Sequence, residues 1–99
     1  MTTVVNRRKE LFDVYIGRGS KWGNPFIIGK DGTREDVIAK YRKRFYENLK
    51  TGSFTHEEVI KKLAGTKLGC YCAPMPCHGD VLAEYCNMFS LIENDEAPF

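Results

Sequence analysis

No apolar run in this chain approaches the ~18 residues that a membrane span needs. Its first residues lack the apolar segment of a signal peptide. Internal repeats, low-complexity tracts and long linkers are missing too, so nothing suggests an array or a tethered pair of domains. No charge of one sign dominates: 15 Lys and Arg against 13 Asp and Glu leave a formal +2. That is too mild to mark the chain as a nucleic-acid binder from composition alone. Tryptophan occurs once, but six Phe, five Tyr and a 42% apolar content argue against disorder. At 99 residues the chain is one domain with one modest core.

The charge is unevenly spread. Most of the Lys and Arg fall in residues 1–50, whereas the second half is net acidic, much of it at Glu93, Asp95 and Glu96. A basic half attracts anionic partners, although Arg42-Lys43-Arg44 also reads as a solvated helix face. The four cysteines, Cys70, Cys72, Cys77 and Cys86, are crowded into one stretch. A secreted disulfide scaffold spreads its cysteines to close larger loops. The crowding and the missing leader point to a cytoplasmic protein with reduced thiols and no membrane partner. Metal binding, a reactive thiol or plain packing are then the open uses.

Thr2-Thr3-Val4-Val5 is β-prone, and Asp13-Val14-Tyr15-Ile16 reads as a strand ended by Gly17. Residues 17–25 form a loop, and Phe26-Ile27-Ile28 reads as a short strand before the Gly29–Gly32 turn. Thr33 with Asp36 makes an acidic capping box, and Val37, Ile38, Tyr41, Phe45 and Leu49 repeat at helical spacing, so a helix spans 34–50 and stops at Gly52. Thr55-His56-Glu57-Glu58 is a second capping box, opening a short helix closed by Gly65, with His56 solvated at its start. Lys67–Cys72 is the next strand. Gly79 or Asp80 opens a last helix with Val81, Leu82, Tyr85, Cys86 and Phe89 inward. The domain then covers 1–92, and 93–99 form an acidic tail that frays at Pro98.

This order predicts a compact α/β domain with a small, mostly parallel sheet and three helices. Strand–helix–strand units pair in parallel with a right-handed crossover. Ligands bind beyond the carboxyl ends of such strands. The loop 17–25 and the loop 73–80 therefore share one rim.

In the first loop, Gly17, Gly19 and Gly23 let the backbone approach a ligand or take positive φ. Arg18 and Lys21 can neutralise a phosphate, with Ser20 between them. Trp22 offers a face for a base, or a core anchor. Asn24 caps the turn before Pro25 or reads a base edge. In the second loop, Cys77-His78-Gly79-Asp80 lies at a helix N-terminus, where free N–H groups favour an anion or a thiolate. Cys77 is then a candidate nucleophile, His78 a general acid or base, and Asp80 a catalytic partner or a helix cap. Alternatively, Cys70, Cys72, Cys77 and His78 supply the four ligands that zinc takes, although C-x-C is not the usual knuckle spacing. Cys86 packs.

Val14-Tyr15-Ile16-Gly17-Arg18 with Trp22-Gly23-Asn24-Pro25-Phe26, and Leu68-Gly69-Cys70-Tyr71-Cys72-Ala73-Pro74 with Cys77-His78-Gly79-Asp80-Val81-Leu82, resemble a family of small bacterial and phage proteins catalogued as domain of unknown function 4326. The resemblance spans about residues 3–90. Trp often stands in that family where Tyr71 stands here, and Cys86 falls outside its pattern, in keeping with packing. The resemblance implies which residues matter but no reaction. Its phage members imply a host-directed or nucleotide-metabolic role, in the host cytoplasm.

The expectation is a site for a phosphorylated, nucleotide-like small molecule. Arg18 and the last helix N-terminus hold the phosphate, and Trp22 and Asn24 hold the base or ribose. Cys77, His78 and Asp80 carry any hydrolase or glycosidase-like chemistry. The rival expectation is a non-enzymatic, zinc-stabilised module that binds nucleic acid or a host protein.

Overall fold

A computed structural model of the chain describes residues 1–96. Three strands and three helices follow in the order β1 (Thr3–Asn6), β2 (Val14–Tyr15), α1 (Arg34–Thr51), α2 (His56–Leu63), β3 (Lys67–Cys70) and α3 (Gly79–Glu96). The sheet has the order β1-β3-β2, with both outer strands parallel to β3. The chain is thus the mixed α/β domain with a parallel sheet that the strand–helix–strand order predicts.

Local signals set most boundaries. Thr33 and Asp36 make the reciprocal capping box that starts α1, and Gly52 ends it at φ 87°, where a side chain would be strained. Thr55 accepts from the Glu58 N–H at the start of α2. The expected strand at Phe26–Ile28 does not form, which is a correction with a clear cause. Asn24 Oδ1 accepts from the Phe26 N–H at 2.9 Å and Asp31 Oδ2 from the Ile27 N–H at 2.8 Å. Side chains thereby take the donors that a strand would need. Strand β3 likewise ends at Cys70, because Cys72 accepts from Met75 in a turn. Of the tail expected at 93–99, α3 covers the part up to Glu96, and 97–99 lie outside the described residues.

One connection was not visible in the sequence. Residues 7–13 carry the chain from β1 on one side of β3 to β2 on the other, without a helix. Arg7 N–H donates to Cys70 O at 2.9 Å and Asp13 N–H to Lys67 O at 2.9 Å, so the segment spans β3 from end to end. Alternation along β3 turns Leu68 and Cys70 to the helical face and Gly69 to the other. The Phe12 ring lies against Gly69, where a Cβ would meet it at 2.6 Å. Glycine is required there by that close approach.

On the helical face, α3 packs on β1 and β3, and α1 and α2 pack on α3. Phe45 is at the centre, with ring centroids 5.2–5.3 Å from Tyr46, Phe54 and Tyr85. Cys86 is fully buried in the same core cluster, in keeping with a packing role. His56 departs from the solvated position expected for it. Its Nδ1 is 2.6 Å from the Tyr85 hydroxyl and its ring lies 4.4 Å from Phe89. Buried Thr2 ties the N-terminus down: its hydroxyl donates to Leu63 O and accepts from the Gly65 N–H, and Asn87 brackets its backbone.

Candidate functional site

Beyond the carboxyl ends of β2 and β3, the two segments that the sequence singles out meet around one cavity of about 370 Å³. Arg18 and His78, 60 positions apart in the chain, both line it. The first wall leaves β2 at Ile16, whose N–H continues the ladder to Gly69 O at 3.0 Å. Two tight turns follow. Ser20 gives both its N–H (3.1 Å) and its hydroxyl (2.7 Å) to Gly17 O, and the Gly23 N–H donates to Ser20 O. Gly19 sits between at φ 86°, and a Cβ on Gly23 would come within 2.6 Å of Gly17 O. The glycines therefore shape the loop itself.

Arg18 is exposed at the cavity. The rest of the first motif turns elsewhere. Trp22 is buried, 5.1 Å from the Phe54 ring, and its carbonyl accepts from Tyr41 Oη at 2.8 Å, so the indole is a core anchor and does not line the cavity. Lys21 pairs with Glu58, and Ser20 and Lys21 border a second, smaller depression. Asn24 borders the cavity, but its amide donates to Val37 O and its oxygen accepts from Phe26. Flat apolar faces are supplied instead by Tyr15, Phe26 and Tyr71.

The second wall is held by side chains. His78 Nε2 lies 2.6 Å from Ile16 O. A carbonyl only accepts, so Nε2 carries the hydrogen and Nδ1 keeps its lone pair. Burial holds the imidazole pKa below the usual histidine value, so the ring is neutral near pH 7. Asp80 Oδ2 accepts from the Cys77 N–H at 3.1 Å, and its N–H returns to Cys77 O. Asp80 is exposed and does not line the cavity; it positions the turn. The Gly79 N–H points at Cys77 Sγ, 3.3 Å away. The free N–H groups expected at this helix start are thus already engaged, and the carboxylate beside them disfavours an anion.

Cys70 Sγ and Cys77 Sγ are 3.4 Å apart and both line the cavity. The Cys77 S–H and then the backbone N–H groups of Ala73 and Cys72 draw the Cys70 thiol down to about 6. The same contact, with burial, pushes Cys77 far up. The two thiols titrate as one pair, the first proton leaving more easily than from an ordinary thiol and the second far less easily. Burial and then the nearby Cys77 raise Tyr41 as well, so its hydroxyl stays protonated. Cys72 borders the cavity but does not join the pair, and His78 spends Nε2 on a carbonyl. Among the described residues no group of three or more His, Cys, Asp or Glu is arranged to hold a metal ion.

Arg34 lies outside both sequence motifs but lines the cavity. At the first position of α1 its Nη1 donates to Pro76 O at 3.0 Å, strapping the helix to the second loop at the cavity. A cation in a helix's first turn runs against the dipole, which is the signal that marked it. Nearby, the Arg7 guanidinium lies over Tyr15 (4.8 Å) and Tyr71 (5.0 Å), and Arg8 over Tyr71 (4.9 Å). Tyr15 and Tyr71 both line the cavity, so its rim is positive on that side too.

A family model described as Domain of unknown function (DUF4326) matches residues 3–88. An "Uncharacterized 12.4 kDa protein in nrdA-td intergenic region" of Enterobacteria phage T4 is 46% identical over 85 residues, covering 85% of this chain and 76% of the phage protein. An uncharacterized protein of Acanthamoeba polyphaga mimivirus is 32% identical over 99 residues, covering 82% of this chain and 69% of the viral one. No solved structure matches the chain.

Proposed function

The chain belongs to the DUF4326 family, a family of unknown function, and we propose that its cavity binds a phosphorylated, nucleotide-like small molecule. One observation carries this reading. Among the described residues, the cavity lining includes two arginines, Arg18 and Arg34, and no Asp or Glu. Among the described residues neither arginine pairs with a carboxylate, whereas Lys21 and Arg42 do. A planar guanidinium without an acid partner suits a phosphate. The size supports a small ligand, since such sites hold roughly 300–1,000 Å³.

Charge also orients the ligand. The Cys70–Cys77 pair carries negative charge once its first proton leaves, so the phosphate goes to the arginines. The apolar part goes to the lining of Phe26, Ile27, Val37 and Ile38, taking the place first expected of Trp22. Any processing of the ligand then falls to the sulfurs and to His78, whose neutral Nδ1 is suited to general-base work. A host-cell cytoplasm, where thiols stay reduced, is the compartment in which this chemistry persists.

Calorimetry with nucleoside monophosphates and with inorganic phosphate tests the reading. Wild type should bind a nucleotide more tightly than phosphate, and Arg18→Ala should weaken that binding roughly 10- to 100-fold, the loss of one charge-assisted hydrogen-bonding group. No binding by wild type, or an Arg18→Ala variant that binds unchanged, would overturn it.

A further inference from the structure

We infer that Cys70 and Cys77 form a peroxide-reactive dithiol in the cavity wall that closes to a disulfide. The inference concerns the two sulfurs and does not depend on the ligand proposed above. Their separation of 3.4 Å leaves about 1.4 Å to close to a covalent S–S bond. The Gly79 N–H already directs Cys77 Sγ, and Cys70 Sγ sits opposite it at the end of β3. Both cysteines are buried against the protein, at 2% and 3% exposure, yet both line the cavity. A small oxidant such as hydrogen peroxide fits that route, whereas a protein disulfide does not. Of the residues between them, Tyr71 and Pro74 to Pro76 are exposed.

The chemistry balances in two steps. The Cys70 sulfur attacks one peroxide oxygen and the O–O bond breaks. The other oxygen leaves as hydroxide, gains a proton and becomes water, and Cys70 becomes a sulfenic acid. The Cys77 sulfur then attacks the Cys70 sulfur. The hydroxyl departs as a second water with the Cys77 proton, and the S–S bond forms. Two thiols lose two electrons in total, and one peroxide becomes two waters. A dithiol reductant reverses the bond by exchange. Cys72, half-buried on the same cavity but outside the pair, and Cys86, enclosed in the core, serve as internal comparisons.

The test treats the reduced full chain with equimolar hydrogen peroxide at neutral pH, blocks the remaining thiols, and reads intact mass and linked peptides. The expected product has lost two hydrogens and two titratable thiols, joins Cys70 to Cys77, leaves Cys72 and Cys86 blocked, and reverts fully with dithiothreitol. Cys77→Ala should stop at a Cys70 sulfenic acid that a cyclic 1,3-dione traps, and Cys86→Ala should behave as wild type. A link to Cys72, oxygen adducts without loss of hydrogens, or no thiol loss in the time the urea-unfolded chain reacts would each overturn the inference. Peptide mapping of wild type decides the matter even where Cys77→Ala fails to fold.

Discussion

The two walls of the cavity are built on opposite principles. The 17–23 loop is held by its own backbone, through Gly17 O, Ser20 and the glycines, and so leaves the Arg18 side chain unspent. The Cys77–Asp80 turn is held by its side chains: His78 on Ile16 O, Asp80 on the Cys77 N–H, and Cys77 against Cys70 and Gly79. A wall held by backbone can offer side chains to a ligand. A wall held by side chains can offer only what its internal bonds leave over, namely one lone pair on His78 and one ionisable thiol. The contrast explains why the expected anion site at the start of α3 is occupied by the protein itself, and why attraction passes to Arg18 and Arg34.

Substitutions can break that contrast. The largest effect is expected at His78→Ala in the side-chain-held wall. It leaves the buried Ile16 carbonyl without its partner and removes a ring that lies 5.0 Å from Tyr41, at a cost of about 3 kcal/mol in denaturant unfolding. Gly23→Ala is the counterpart in the backbone-held wall. Its Cβ meets a backbone oxygen that cannot step aside, so about 2 kcal/mol should be lost by the same measurement. Asp80→Ala should cost about 1 kcal/mol, as the loss of a helix-end bond does. An Arg18→Ala variant, by contrast, should unfold within about 0.5 kcal/mol of wild type, because its side chain holds nothing together. If Arg18→Ala proved as destabilising as Asp80→Ala, the division between the walls would fail.

A pH series sharpens the same point without mutation. Cys70 ionises more easily in the folded chain, at about 6 against an ordinary 9. Its contribution is therefore fully present only above the ordinary value, and it is lost as pH falls through 6. His78, held below its ordinary value, adds to the acid-side loss. Cys77 has the opposite sign, since its raised value makes the folded state lose stability once pH exceeds the ordinary thiol range. The thermal midpoint should rise from pH 6 toward 8 and fall above 9, and Cys70→Ser should flatten the rise. A midpoint that is flat from 6 to 9 in wild type would remove the paired titration of the two thiols from the account.

What could be read from the sequence were features carried by near neighbours. Thr33 with Asp36, Thr55 with Glu58 and Gly52 announce helix ends because capping uses atoms three or four positions apart. The meeting of the two motifs also followed, from the handedness and polarity of a parallel strand–helix–strand unit. Features that depend on distant partners stayed hidden. Trp22 reads as either a ligand platform or a core anchor until Phe54 and Tyr41 are seen to enclose it. His56 looks solvated until Tyr85 and Phe89 arrive from α3. Phe26–Ile28 has strand composition, but Asn24 and Asp31 claim its donors. Arg34 gains meaning only beside Pro76, 42 positions later.

The central claim, that the two walls enclose one ligand whose phosphate rests on Arg18 and Arg34, is tested most directly by a nuclear magnetic resonance titration with a nucleoside monophosphate. The amides of Gly17–Gly19 and Cys77–Gly79 and the Arg18 and Arg34 guanidinium signals should shift together along a single binding curve. Shifts confined to one wall, or centred on the surface arginines Arg42 and Arg44, would contradict it.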